Sequence, residues 1–123
     1  MVNSVLLIKP EYLNQILNEL KTIEIRSCSC KSKVGDTIGL AFCGKSYRNK
    51  SKQIVATVKI IECKLYENNN DYLIDLNKHL YIGSDDLNLP YKKTYGWVFD
   101  ELKILEVPII FEHKKGAIVW CKC

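Results

Sequence analysis

Residues 21–26, Lys-Thr-Ile-Glu-Ile-Arg, constrain the fold of this chain more than any other stretch. Ile23 and Ile25 alternate with Thr22, Glu24 and Arg26. Successive side chains of a β-strand point to opposite faces. The two isoleucines therefore go to one side, and the acid and the guanidinium to the other. If the charged face looks into a cleft, Glu24 and Arg26 stand side by side within it, with Lys21 at the entrance. Two residues apart on one strand face, they are about 6.5–7 Å apart at the backbone, and both side chains are long enough to meet.

The flanking pattern places this strand in an α+β chain. Residues 4–9 read as a first strand. Pro10 suits the first position of a helix, and Glu11 suits its positive end. Leu13, Ile16, Leu17 and Leu20 recur at helical spacing, so the periodicity predicts a helix over 10–20. Strand 22–26 follows at once, and Gly35-Asp36 marks a turn. Residues 37–43 alternate as a strand, 44–52 form a basic loop, and 53–63 make a long β-branched strand. Asp71 can cap a helix near 71–81 that is supported by Tyr72, Leu73, Leu76 and Leu80. Residues 95–105 and 117–122 supply the last strands. Pro108 reduces 107–111 to a short edge piece, because proline cannot donate to a central ladder.

Six or so strands with two helices predict a small β-barrel whose openings the helices cap. Its rim would provide a cleft. The 123 residues suit one domain spanning 1–123, large enough to bury a core without metal or disulfides. No repeat or linker interrupts it.

In this order of elements and motifs the chain resembles the ASCH family, the activating signal cointegrator homology domains of the PUA-like β-barrels. The family signature Gly-x-Lys-x-x-Glu-x-Arg is matched by Lys21, Glu24 and Arg26, with Glu19 at the glycine position. Leu7-Ile8-Lys9-Pro10, Val34-Gly35-Asp36 and Tyr95-Gly96-Trp97-Val98 match its surroundings, and the resemblance covers nearly the whole chain. It implies a cleft facing RNA or a modified nucleoside. One bacterial branch resembles amidohydrolases that deacetylate acetylated cytidine, using the motif Lys, a Thr where this chain has Glu24, and a later Glu. Lys21 carries over to that reading. The Thr does not, and no motif fixes Asp71 or Asp75 as the later carboxylate.

The chemistry of the residues agrees with a polar ligand. Arg26 can hold Glu24 ionised or clamp a phosphate with paired hydrogen bonds. Glu24 can accept from a base edge that carries an exocyclic amine. A desolvated Lys21 loses pKa and can act as a base, with Glu24 as its acid-base partner. The bland alternative is a salt-bridged strand end that fixes the helix, and an exposed pair of that kind contributes about 0–1 kcal/mol. In the basic loop, Lys45, Arg48, Lys50 and Lys52 surround Tyr47, the mix of cations and aromatic that single-stranded nucleic acid needs. The alternative there is a solvated hairpin tip. Tyr95 and Trp97 are candidates for a stacking face or for core.

The formal charge of +4 permits a polyanionic partner without demanding one. No apolar run approaches the roughly 18 residues of a membrane span, and the start lacks a basic leader. The expected address is the cytosol or nucleus, where the six cysteines would remain thiols. Cys28-Ser-Cys30 and Cys121-Lys-Cys123 have a tighter spacing than structural zinc sites use. Cys43 and Cys63 read as small core residues. His79 and His113 have no ligand-like neighbours in sequence. No metal or cofactor is expected. The leading expectation is an RNA- or nucleotide-binding domain with its cleft at Lys21, Glu24 and Arg26. A hydrolase acting on acetylated cytidine or RNA, and a protein-interaction module of a coactivator-type complex, are the alternatives. Oligomeric state and ligand identity are left open.

Overall fold

The computed structural model describes residues 4–43, 53–82 and 88–110, and the backbone of 118–120. Six strands form one mixed sheet. They are β1 (Ser4–Ile8), β2 (Ile23–Arg26), β3 (Thr37–Phe42), β4 (Gln53–Tyr66), β5 (Thr94–Ile110) and β6 (Ile118–Trp120). Their order is β2-β5-β4-β3-β1-β6. The β1–β3 and β1–β6 ladders are parallel, and the other three are antiparallel.

Among the described residues no ladder joins the two ends of this order, so the ladders describe an open α+β sheet where the sequence predicts a closed or half-closed β-barrel. The sheet nonetheless curls. Arg26, on the end strand β2, donates from Nη2 to the Leu7 carbonyl of β1 at 2.6 Å. A side chain, not a ladder, bridges the seam.

Helix α1 (Pro10–Leu17) follows β1 directly, with proline in its first turn. It buries Tyr12, Leu13 and Ile16 against Leu6, Ile8, Leu40, Val58, Trp97 and Phe99. Full burial of such a side chain stabilises by about 1.5–3 kcal/mol. The helix stops short of the expected Leu20 because Glu19 turns left-handed, with φ of 60°. That conformation suits glycine, and this is the position where the ASCH signature has one. Leu20 is left exposed.

Two further expectations are corrected. The helix expected over 71–81 is two short ones, α2 (Asn69–Ile74) and α3 (Leu76–His79), broken at Asp75. Asn68, rather than Asp71, caps the first: its side chain accepts from the Asp71 N–H at 2.8 Å. The second ends at Leu80, also left-handed with φ of 51°. On the other side of the chain, β5 runs through Pro108 to Ile110 instead of ending at 105. Its pairing jumps from Ile104, opposite Ala56, to Ile109, opposite Ile54. Pro108 falls in that irregularity, where it interrupts no regular ladder bond.

No helix among the described residues is long and apolar enough to cross a membrane. Cys43 is disulfide-bonded, against the expectation that all six cysteines remain thiols.

Candidate functional site

The alternation in β2 sorts its side chains as the sequence predicts, but both faces are covered. Ile23 and Ile25 pack with Tyr66 and Tyr72. Glu24 and Arg26 point to the opposite, inner face and are 4% and 5% exposed. The ladder places Glu24 opposite Trp97 and Arg26 opposite Tyr95.

Lys21 is not at an entrance. It is 1% exposed, because the left-handed turn at Glu19 folds the chain back and delivers residue 21 beneath α1. Its backbone N–H bonds to Gln15 O at 3.2 Å. The Lys21 ammonium donates to the His79 carbonyl, lies 3.5 Å from Glu24 Oε1 and sits 4.9 Å from the Tyr12 ring centroid. Burial lowers the pKa of Lys21 to about 8, with Glu24 opposing the shift and Arg26 adding to it.

Glu24 thus lies between two cations. Its Oε2 accepts from Arg26 Nε at 3.1 Å and is 3.0 Å from Nη2. Its Oε1 is buried, with the Lys21 ammonium 3.5 Å away as an ion-pair partner and no closer hydrogen-bond donor. A buried carboxylate oxygen ordinarily has a donor, so Oε1 retains acceptor capacity.

Beside this triad lies a cavity of about 50 Å³, lined by Glu24, Ile25 and Arg26 with Lys9, Tyr12, Tyr81 and Tyr91. Tyr12 and Tyr81 stack with centroids 5.4 Å apart and planes at 13°. Tyr81 and Tyr91 are tilted neighbours at 6.3 Å, with hydroxyls 3.2 Å apart. Burial pushes the Tyr81 and Tyr12 phenols up, so both remain neutral donors. Lys9 and Tyr91 are exposed at the rim.

Sequence reasoning missed this tyrosine wall, and it missed the residue that places it. His79 is fully buried and stacks on Tyr72 at 4.4 Å. The Tyr81 N–H donates to His79 Nδ1 at 3.0 Å. The ring proton is therefore on Nε2, which donates to Tyr72 O at 3.0 Å. Desolvation lowers the His79 pKa and keeps the ring neutral. The imidazole fixes the left-handed turn at Leu80 and so presents Tyr81 to Tyr12. No spacing rule connects positions 12, 81 and 91. The one sequence signal was three tyrosines beside predicted element ends.

The remaining candidates lie elsewhere. Trp97 is fully buried, and its indole N–H donates to Cys28 O at 2.9 Å, so it is core rather than stacking face. Tyr95 is partly buried and lines a separate groove with Lys31 and Cys63. Lys45, Tyr47, Arg48, Lys50 and Lys52 lie outside the described residues, as do His113, Cys121 and Cys123.

Neither candidate for a later carboxylate reaches the cavity. Asp71 accepts from the Asn68 amide at 3.2 Å. Asp75 accepts from Tyr66 at 2.7 Å and Lys64 at 2.9 Å in another groove. Desolvation raises the Asp75 pKa, but the hydrogen bonds from Lys64 and Tyr66 outweigh it and hold the carboxyl below its usual value.

No protein-family profile and no curated protein matches this sequence. Solved structures do match in fold. A Ser-to-Ala variant of the ASCH protein from Zymomonas mobilis superposes with a TM-score of 0.65 at 12% identity, over 88% of this chain and 74% of that one. A Tyr-to-Phe variant gives 0.65 at 12% identity, over 88% and 76%. The unsubstituted protein gives 0.61 at 13%, over 89% and 73%. The chain thus has the ASCH fold.

Proposed function

We propose that this ASCH-fold chain binds RNA or a nucleotide by taking the edge of a base into the cavity beside Glu24. The observation that carries the reading is the buried Glu24 Oε1 without a hydrogen bond, next to a tyrosine wall. A cavity of about 50 Å³ is too small for a nucleoside but admits a base edge. An exocyclic amine of cytosine or adenine would supply a hydrogen-bond donor to Glu24 Oε1. Tyr81 and Tyr91 offer ring faces at the mouth, and Lys9 offers a cation for the adjoining phosphate.

The test is fluorescence anisotropy with single-stranded oligocytidine and oligouridine. Cytosine is expected to bind about tenfold tighter, the worth of one hydrogen bond to a charged group. Glu24→Gln is expected to erase the preference while the circular dichroism spectrum stays folded. Equal binding of the two oligomers by the native protein overturns the reading.

One observation favours hydrolysis of an acylated cytidine as a second reading. Lys21, with its pKa lowered to about 8, is near the range of a general base. Its test is release of acetate from N4-acetylcytidine, abolished in Lys21→Ala. Binding without release leaves the first reading alone.

A further inference from the structure

The tail of β2 leads into a cluster that the base-binding reading does not use. Cys28, Cys30 and Cys63 are free thiols gathered where the 28–30 segment crosses β4. Cys63 Sγ accepts the backbone N–H of Cys30 at 3.2 Å. The Ser29 hydroxyl lies 3.4 Å from the same sulfur. Cys63 is half-buried and lines an open groove of about 520 Å³ together with Ser29 and Lys31. A backbone N–H and a hydroxyl thus lie within hydrogen-bond reach of the Cys63 sulfur.

Cys30 is its opposite. It is 1% exposed. Its thiol lies 4.0 Å from the carbonyl of Glu62, the residue before Cys63. Burial raises its pKa, so it keeps its proton. A half-buried sulfur that accepts the Cys30 backbone N–H thus neighbours the shielded, protonated thiol of that same residue. That is the arrangement of an oxidisable cysteine beside its resolving partner.

We propose that Cys63 is a peroxide-sensitive modification site and that Cys30 resolves it into a Cys30–Cys63 disulfide. In the first step the Cys63 thiolate attacks one peroxide oxygen and the O–O bond breaks. Cys63 becomes a sulfenic acid and hydroxide leaves; sulfur is oxidised and the peroxide reduced. In the second step the Cys30 sulfur attacks the sulfenic sulfur. The S–O bond breaks, and the Cys30 proton leaves with the hydroxyl as water. The bridge ties the segment that follows Arg26 to β4.

The experiment uses the full-length chain with hydrogen peroxide at one to ten equivalents. Remaining thiols are then alkylated and the peptides mapped by mass. The expected result is a Cys30–Cys63 cross-linked peptide that forms about tenfold faster than any modification of Cys28, which lacks this donor environment. In Cys30→Ser, dimedone is expected to trap a sulfenic acid on Cys63. Cys63 recovered as an alkylated thiol after peroxide, in a native chain whose circular dichroism is unchanged, overturns the proposal. So does oxidation that falls first on Cys28. The native-chain mapping decides the matter even where Cys30→Ser fails to fold.

Discussion

Replacing Lys21 by methionine tests the electrostatics of the inner face directly. Methionine keeps the length and apolar stem of the side chain and removes the ammonium. Lys21 has its pKa lowered from 10.5 to about 8 in the folded chain. Between those values the folded chain holds Lys21 neutral while the unfolded chain holds it protonated. Unfolding then takes up a proton, so stability rises with pH by about 1.4 kcal/mol per unit. Across the window this amounts to about 3 kcal/mol. Other groups bend the curve the opposite way. The Cys30 thiol and the Tyr66 phenol are raised above 9.0 and 10.0 by burial, so unfolding releases their protons in alkali and stability falls. Both proteins share those contributions, and the difference between them isolates Lys21. The assay is urea unfolding of native and Lys21→Met chains at half-unit steps from pH 7 to pH 10.5. The native advantage is expected to grow by about 3 kcal/mol over the upper part of this range. A difference that stays constant across it would show that Lys21 remains charged in the fold, and the base-like reading of Lys21 would fall with it.

Other substitutions probe the frame around the site. Glu19→Gly relieves the left-handed backbone at φ of 60° and is expected to raise stability by about 1 kcal/mol in thermal melts. Gly96→Ala places a Cβ 2.8 Å from Tyr66 and 2.9 Å from Ile23 and is expected to cost about 1–3 kcal/mol by urea unfolding. Asp75→Asn strips Tyr66 and Lys64 of a charged acceptor, and a loss of about 1–3 kcal/mol at pH 7 is expected. Because the Asp75 carboxyl is held below 3.8, its stabilising contribution is present above that pH and is lost on further acidification. The native acid limb should therefore be steeper than the variant's.

The elements that local rules govern were legible. Pro10 and Glu11 started α1 where proline and charge rules put them, and Gly35 turned left-handed ahead of β3 with φ of 97°. The Lys-x-x-Glu-x-Arg spacing did place three charges in one cluster. Their depth was not legible. That Lys21 is buried depends on His79 O accepting its ammonium across 58 residues. The tyrosine wall depends on an imidazole that sequence offers only as an isolated histidine. Asp75 broke the expected second helix because its carboxylate is tied to Tyr66 and Lys64 on β4, a tertiary contact that overrides helical spacing. Pro108 led to reading 107–111 as a separate edge piece, whereas β5 continues through it at an irregularity that only the pairing reveals.

Arg26 lines the cavity and also bridges β2 to the Leu7 carbonyl. A residue with two duties is hard to alter for either one alone. Lysine there would keep the charge but lose the fork that reaches Glu24 and β1 together. Tyr81 and Tyr91 join no strands, so they can be exchanged without opening the sheet's seam. Evolution of ligand preference in such a domain should therefore run through its aromatic wall and leave its charged floor unchanged.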